Sequence, residues 1–336
     1  MWGKFLCYLP VMTLEISCAF ATSMTTPDHV VTAEKLGYTR AWLYDSPALY
    51  PDVWVQLCRA AERTSTIGIG PGVLIPSLRH PMVTAAAIGT LSEIAGMHRV
   101  HVGVGTGFTG RFTLGQKPNK WATVVHYVET VQALLRGDIV EWEGAKIQMM
   151  HPDGYSTPRP IRVPFVLGAA GPKGFKAAHD IADGVFVAGA EPQPNFDWQV
   201  MLHVGTVLDD NESPGSERAI AAGGHGAAVY YHFYDENGLG VEQLPGGAEW
   251  KAAYAHVEPS VRHLAIHDLH MIAVNKLDKP LITGEVMQSM GAAYSPARLR
   301  EVLQEFEEKG ATELAYQPAG PDIARELEMF IAAAHG

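Results

Sequence analysis

Short apolar runs alternate along this chain with amphipathic stretches that open at proline or a capping residue and close at glycine. That rhythm constrains the fold most, because strands joined by helical crossovers must lie parallel, with helices covering the sheet. Read in order, Lys4–Leu9 is a strand, Pro27–Leu36 a helix with Thr26 as N-cap, and Thr39–Tyr44 a strand ending at Asp45. Helix Pro51–Thr64, strand Ile67–Ile75, helix Pro81–Ile94 and strand Val100–Val104 follow, and helix Trp121–Arg136 stops at Gly137. The span 137–162 reads as an insertion carrying a hairpin over Ile139–Met149, turning at Glu143-Gly144. Strand Val163–Leu167, helix Pro172–Ile181 and strand Gly184–Ala188 restore the rhythm.

Beyond Gly189 the pattern loosens, so 190–295 reads as an insertion or lid. A seventh strand is expected at Ala227–Tyr234, and helices at Glu249–His256 and Ser260–His270. Helix Pro296–Lys309, strand Thr312–Gln317 and helix Ile323–Ala334 close the chain. Eight strands with no break in composition predict one (β/α)₈ TIM barrel over 1–336, with insertions after strand 4 and in the region of strands 6–7. In such a barrel the functional groups sit at the carboxyl ends of the strands.

Charge and cysteine usage narrow the function. Lys and Arg number 25 against 36 Asp and Glu, a formal charge of −11 with no basic stripe, which argues against nucleic acid as a partner. Cys7, Cys18 and Cys58 are odd in number and far apart, as reduced thiols in a cytosol would be. Lys4, Pro10 and Glu15 interrupt the apolar start, so no secretory leader is expected. No apolar run reaches the ~18 residues of a membrane span. The expected setting is cytoplasmic, without a membrane partner, and acidic barrels of this kind commonly pair as homodimers.

Glycines at strand ends let a backbone approach a ligand and offer N–H groups to anionic oxygens. G-V-G-T-G at 103–107 follows a strand but opens no helix at once, so it is not a dinucleotide fingerprint; tight turn and ligand contact stay equally open. Gly168-Ala169-Ala170-Gly171-Pro172-Lys173 leads straight into a helix whose N-terminus suits a phosphate, Lys173 adding charge, although plain clearance would also explain the small residues. Gly72 inside an apolar strand marks a bulge or a close approach, and Asp45 is an acid that must be solvated, bonded or used. His263, His267 and His270 share a helical face, but only Asp268 stands near as an acidic ligand and it points elsewhere, so a packed lid face is expected and no metal. Tyr230, His232 and Tyr234 would share one face of the expected seventh strand.

The stretches A-W-L-Y-D at 41–45, A-E-R-T-S-T-I-G-I-G-P-G-V-L-I-P at 61–76, R-H-P at 79–81 and A-A-A-I-G-T-L-S-E-I-A-G at 85–96 resemble the bacterial luciferase-like superfamily. G-V-G-T-G at 103–107, G-A-A-G-P-K-G at 168–174, I-A-D-G-V at 181–185 and G-A-T-E-L-A-Y-Q-P at 310–318 extend the likeness over most of the chain outside about 190–300. R-H-P followed by T-A-A-A, with the G-A-A-G-P-K run, looks most like methylenetetrahydromethanopterin reductase and its deazaflavin-dependent relatives.

The resemblance implies a barrel holding a flavin-type ring, coenzyme F420 or alternatively FMN, against a non-prolyl cis peptide at Gly72–Val73, with Leu74 beside it. Thr106 and Gly107 would contact the cofactor; Gly168, Ala169, Ala170, Gly171, Lys173 and Gly189 would hold its tail. Sugar-phosphate dehydrogenase relatives carry an Asp-His pair and a Glu where this chain has Asp45-Ser46 and Phe108, so only Asp45 matches. The expected catalytic set is Asp45, also a cofactor contact, with Tyr50 and His232; Ser46, Phe108, Tyr230 and His267 line the expected pocket. Hydride exchange between coenzyme F420 and a small organic molecule is the expected reaction. An FMN monooxygenase fed by a partner flavin reductase, and a flavin-binding barrel without turnover, are the alternatives.

Overall fold

The computed structural model describes residues 14–336, so the strand expected at Lys4–Leu9 lies outside the described residues. Eight strands build the central sheet: β1 Glu15–Phe20, β2 Arg40–Leu43, β3 Gly68–Pro71, β4 Val102–Gly105, β5 Phe165–Gly168, β6 Gly184–Val187, β7 Gln199–Val204 and β8 Glu313–Gln317. They are parallel and ordered β3-β2-β1-β8-β7-β6-β5-β4. Bridges at Ile69–Val100 and Leu74–Val104 join the outermost strands and close the barrel. The principal helices are α1 Thr26–Leu36, α2 Val53–Ala61, α3 Pro81–Ala95, α4 Trp121–Arg136, α5 Pro172–Ile181, α6 Glu217–Glu236, α7 Pro296–Glu308 and α8 Ile323–His335. Their ends follow local chemistry: Asp52 accepts from the N–H groups of Trp54 and Val55 at the start of α2, and left-handed Gly37 and Gly137 stop α1 and α4.

Alternate strand residues divide the core in two. Cys18, Leu43 and Leu167 pack outward on the helices, while Ala19, Trp42, Val166, Phe186, Val200 and Ala315 fill the barrel. At the amino end of the strands the buried carboxylate of Glu313 accepts from Trp42 Nε1 at 2.9 Å, Trp198 Nε1 at 2.8 Å and Arg40 Nη1 at 2.7 Å. A cavity of about 370 Å³, lined in part by Arg40, His101 and Trp198, lies at that end.

Three elements differ from the expected pattern. The apolar start contains β1 at Glu15–Phe20, and Glu15 at its rim pairs with Arg40 rather than breaking the run. The seventh barrel strand is Gln199–Val204, and residues 227–234 belong to helix α6. Between β7 and β8 the chain makes an added layer, in which Thr206–Val207 pairs with Ala293–Tyr294 around a core that includes Tyr231, Trp250, Tyr254 and Met287. The hairpin is present as Val140–Trp142 paired antiparallel with Ala145–Ile147. Among the described residues no helix is long and apolar enough to cross a membrane.

Candidate active site at the barrel mouth

The segment after β3 is the centre of the mouth. The Gly72–Val73 peptide bond is cis. A Cβ on Gly72 would stand 2.8 Å from Trp42 Cβ, so only glycine lets the backbone cross this ring. The Val73 side chain falls across β4 and β5: a Cβ at Gly103 or Gly105 would meet it at 2.8 or 2.7 Å, and one at Gly168 at 3.2 Å. Much of the glycine in these strand ends therefore makes room for Val73. Leu74 returns to the ladder, donating to Gly103 O at 2.8 Å and accepting from Gly105 N at 2.9 Å.

Asp45 follows β2 with its side chain almost wholly buried, and Arg79 Nη1 donates to its Oδ2 at 2.5 Å. The same guanidinium reaches Asp52 Oδ2 at 3.0 Å. Burial pushes the Asp45 carboxyl above its ordinary value, and the arginine opposes that rise. Arg79, absent from the expected site, thus fixes one expected member; it stood in the R-H-P run, but a partner 34 residues away leaves no local signal. Tyr50 is buried and donates to the His270 carbonyl at 2.6 Å. Desolvation raises its phenol, and its hydrogen bond ties the loop after β2 to the added layer. Ser46 is buried, with its Oγ facing Gly110.

Gly107 is left-handed at φ 79° and starts the short helix Phe108–Phe112; its missing Cβ leaves space for Ile75. The Thr106 carbonyl accepts from Asn119 N at 2.8 Å. Phe108 packs edge-on to Phe112 at 4.7 Å and reaches Phe233 of α6 at 5.8 Å, joining the mouth to the added layer. Ala169 is buried, whereas Ala170 and Lys173 are exposed, and α5 begins at Pro172 with no side-chain cap on its first N–H groups. Nothing lies within 4 Å of a Cβ placed on Gly171 or Gly189. This arc combines uncapped donors with open space, as an anionic tail requires.

His232 and His267 lie together, and His267 stacks on Phe112 of the short helix at the mouth at 6.4 Å. They are buried in the added layer with His270, whereas Tyr230, on another face of α6, is 39% exposed. The helix expected through His270 stops at Ile266, and left-handed Leu269 and Met271 turn the chain so that His267 and His270 face His232. His263 stays outside that group, beside Gly115. Burial, reinforced by the neighbouring imidazoles, holds His270 well below the usual histidine range.

The chain is similar to several known proteins. A 5,10-methylenetetrahydromethanopterin reductase of Methanopyrus kandleri is 34% identical over 183 residues, 49% of this chain and 51% of that relative, so the chain spans about half its length. The enzyme of the same name from Archaeoglobus fulgidus is 26% identical over 322 residues, 90% of this chain and 92% of its own. The solved coenzyme F420 dependent tetrahydromethanopterin reductase of Methanopyrus kandleri superposes with a TM-score of 0.64 at 21% identity, covering 95% of this chain and 96% of that one. The luciferase-like monooxygenase family model matches residues 22–202, more than half of the chain. The chain belongs to the luciferase-like monooxygenase family.

Proposed function

We propose that this protein is an oxidoreductase that holds coenzyme F420 in the barrel mouth and exchanges hydride with a small organic substrate. The observation that carries the reading is the pairing, at the carboxyl ends of the strands, of a buried Asp45–Arg79 pair with the uncapped start of α5, where Gly171 and Gly189 leave open space. The reductases from Methanopyrus kandleri and Archaeoglobus fulgidus, alike in sequence, support the choice of cofactor class.

When bound, the deazaflavin supplies two-electron hydride chemistry, and the protein supplies position and electrostatics. Val73 and Leu74 would back the ring, with Thr106 and Gly107 at its flank. Gly168 to Gly171, Lys173 and Gly189 would receive the anionic tail, where the dipole of α5 and one lysine favour negative charge. Asp45, oriented by Arg79, would serve as a fixed acceptor toward cofactor or substrate. Ser46, Phe108 and Tyr230 would shape the substrate side, and Tyr50 would position the loop above it.

Equilibrium titration of cofactor-free protein with coenzyme F420 and with FMN tests this. Tight, saturable binding of coenzyme F420 with weak FMN binding is expected. Preference for FMN would replace the reading with a monooxygenase supplied by a flavin reductase, and failure of both would overturn it.

A further inference from the structure

The added layer contains a group of side chains that hydride transfer does not use. His232 on α6, with His267 and His270 after the short helix Arg262–Ile266, brings one ring nitrogen from each residue within 4.8 Å of the others. His270 Nδ1 lies 3.3 Å from His232 Nδ1 and 3.3 Å from His267 Nδ1. Two nitrogens bound tetrahedrally to one zinc at 2.0–2.1 Å stand about 3.3 Å apart. All three imidazoles are at most 6% exposed.

The outer nitrogens are already engaged. His232 Nε2 meets Asp278 Oδ2 at 2.8 Å, His267 Nε2 meets Glu236 Oε1 at 2.6 Å, and His270 Nε2 meets Thr109 Oγ1 at 3.3 Å. A carboxylate accepts only, so Asp278 and Glu236 draw the ring protons outward and leave the Nδ1 lone pairs of His232 and His267 facing inward. One proton on His270 Nδ1 can serve those two only by dividing itself between them. Carboxylates behind the distal nitrogens are the usual outer shell of metal-bound histidine.

Charge points the same way. Asp278 is fully buried and is bonded to His232, Trp250 Nε1 at 2.7 Å and Tyr254 Oη at 2.9 Å, and Glu236 is bonded to His267. Neither has a lysine or arginine partner among the described residues, and Glu236 Oε2 is buried with no partner at all. Both carboxylates are thus aimed at imidazoles and not at a lysine or arginine, and a divalent cation held by those rings would offset their charge.

We infer that His232, His267 and His270 bind a zinc ion through their Nδ1 atoms, with water at the fourth corner and Asp278 and Glu236 as outer carboxylates. Its role is to fix the added layer over the barrel. His270 is also held by Tyr50 from the loop after β2 and by Thr109 from the short helix after β4, so an ion joining α6 to the segment of His267 and His270 would be linked to both of these as well.

The test uses the full chain without a histidine tag. Metal analysis is expected to find about one zinc per chain, and stripping it with a chelator should lower Tm by at least about 5 °C, restored by zinc alone. Cobalt substitution should give the visible absorption of a tetrahedral site. His270→Ala and His267→Ala should bind less than a tenth as much zinc, while His263→Ala keeps full occupancy. Should those variants fail to fold, the wild-type comparison decides. Protein that takes up no zinc from an equimolar solution, or whose Tm ignores both chelator and zinc, overturns the inference, as does equal loss in His263→Ala. Zinc binding and cofactor binding are read separately, so failure of one leaves the other standing.

Discussion

Asp45 and Arg79 form the pair on which the mouth's electrostatics turn, with side chains 1% and 13% exposed. Removing one member of a buried pair leaves an uncompensated charge and costs roughly 3–5 kcal/mol. Arg79→Met should show that loss by urea unfolding at neutral pH, and Asp45→Asn in the same chain should recover much of it. Without the arginine the folded carboxyl binds its proton still more readily than the unfolded one, so the deficit should shrink as pH falls. A deficit independent of pH and of Asp45 would contradict the pairing. His203 gives a second residue-scale prediction. Packed among Tyr294, Phe306 and Phe330, its ring is depressed by burial to about 4. A depressed histidine leaves stability intact above its unfolded value near 6.5, and that stability is lost as pH falls toward 4. This one ring should cost about 2 kcal/mol between pH 8 and pH 5. His203→Phe should flatten that slope, and an unchanged slope would refute the assignment. Asp45 was legible because it ends an apolar strand; the burial that neutralises His203 was not, because its strand was hidden.

At the scale of elements, α6 explains what sequence rhythm missed. Gly223, Gly224 and Gly226 lower helix propensity before the stretch read as a strand, yet they are what lets the helix approach its neighbours. A Cβ at Gly223 would lie 2.2 Å from the Ala292 carbonyl oxygen, and one at Gly226 2.7 Å from Val204 Cγ2. Helix propensity alone predicts that Gly223→Ala stabilises by about 1 kcal/mol. The clash with fixed backbone should dominate, giving a net loss of about 1–3 kcal/mol in denaturant unfolding. A gain would mean that the packing is looser than described. β1 was missed for another reason: Glu15 read as an interruption of the apolar start, whereas it stands at the strand's rim and pairs with Arg40. By contrast α4 and α5 have the expected limits, helped by local signals: glycine just past the end of α4 and proline at the first position of α5.

For the whole molecule, the (β/α)₈ expectation and the observed parallel barrel agree because strand alternation repeats often enough to survive single errors. The added layer was less legible. His232 was read on a strand and the other histidines on one continuous helix, so the spacing of 263, 267 and 270 suggested a face that the chain does not form. Only three-dimensional packing unites His232 with His267 and His270. The barrel mouth and this layer touch through Tyr50, Thr109 and Phe108, so stripping zinc should weaken coenzyme F420 binding modestly, by no more than about tenfold, and leave its spectrum in the bound state unchanged. A titration before and after chelation reads both.

The placement of the cofactor is tested most directly by a crystal structure of the protein with coenzyme F420. The deazaflavin ring is expected against Val73 and Leu74, beside the Asp45–Arg79 pair, with its phosphate at Gly168 to Lys173. A ring seated elsewhere, such as in the cavity beside Arg40 and Trp198 at the opposite end of the barrel, would contradict the account.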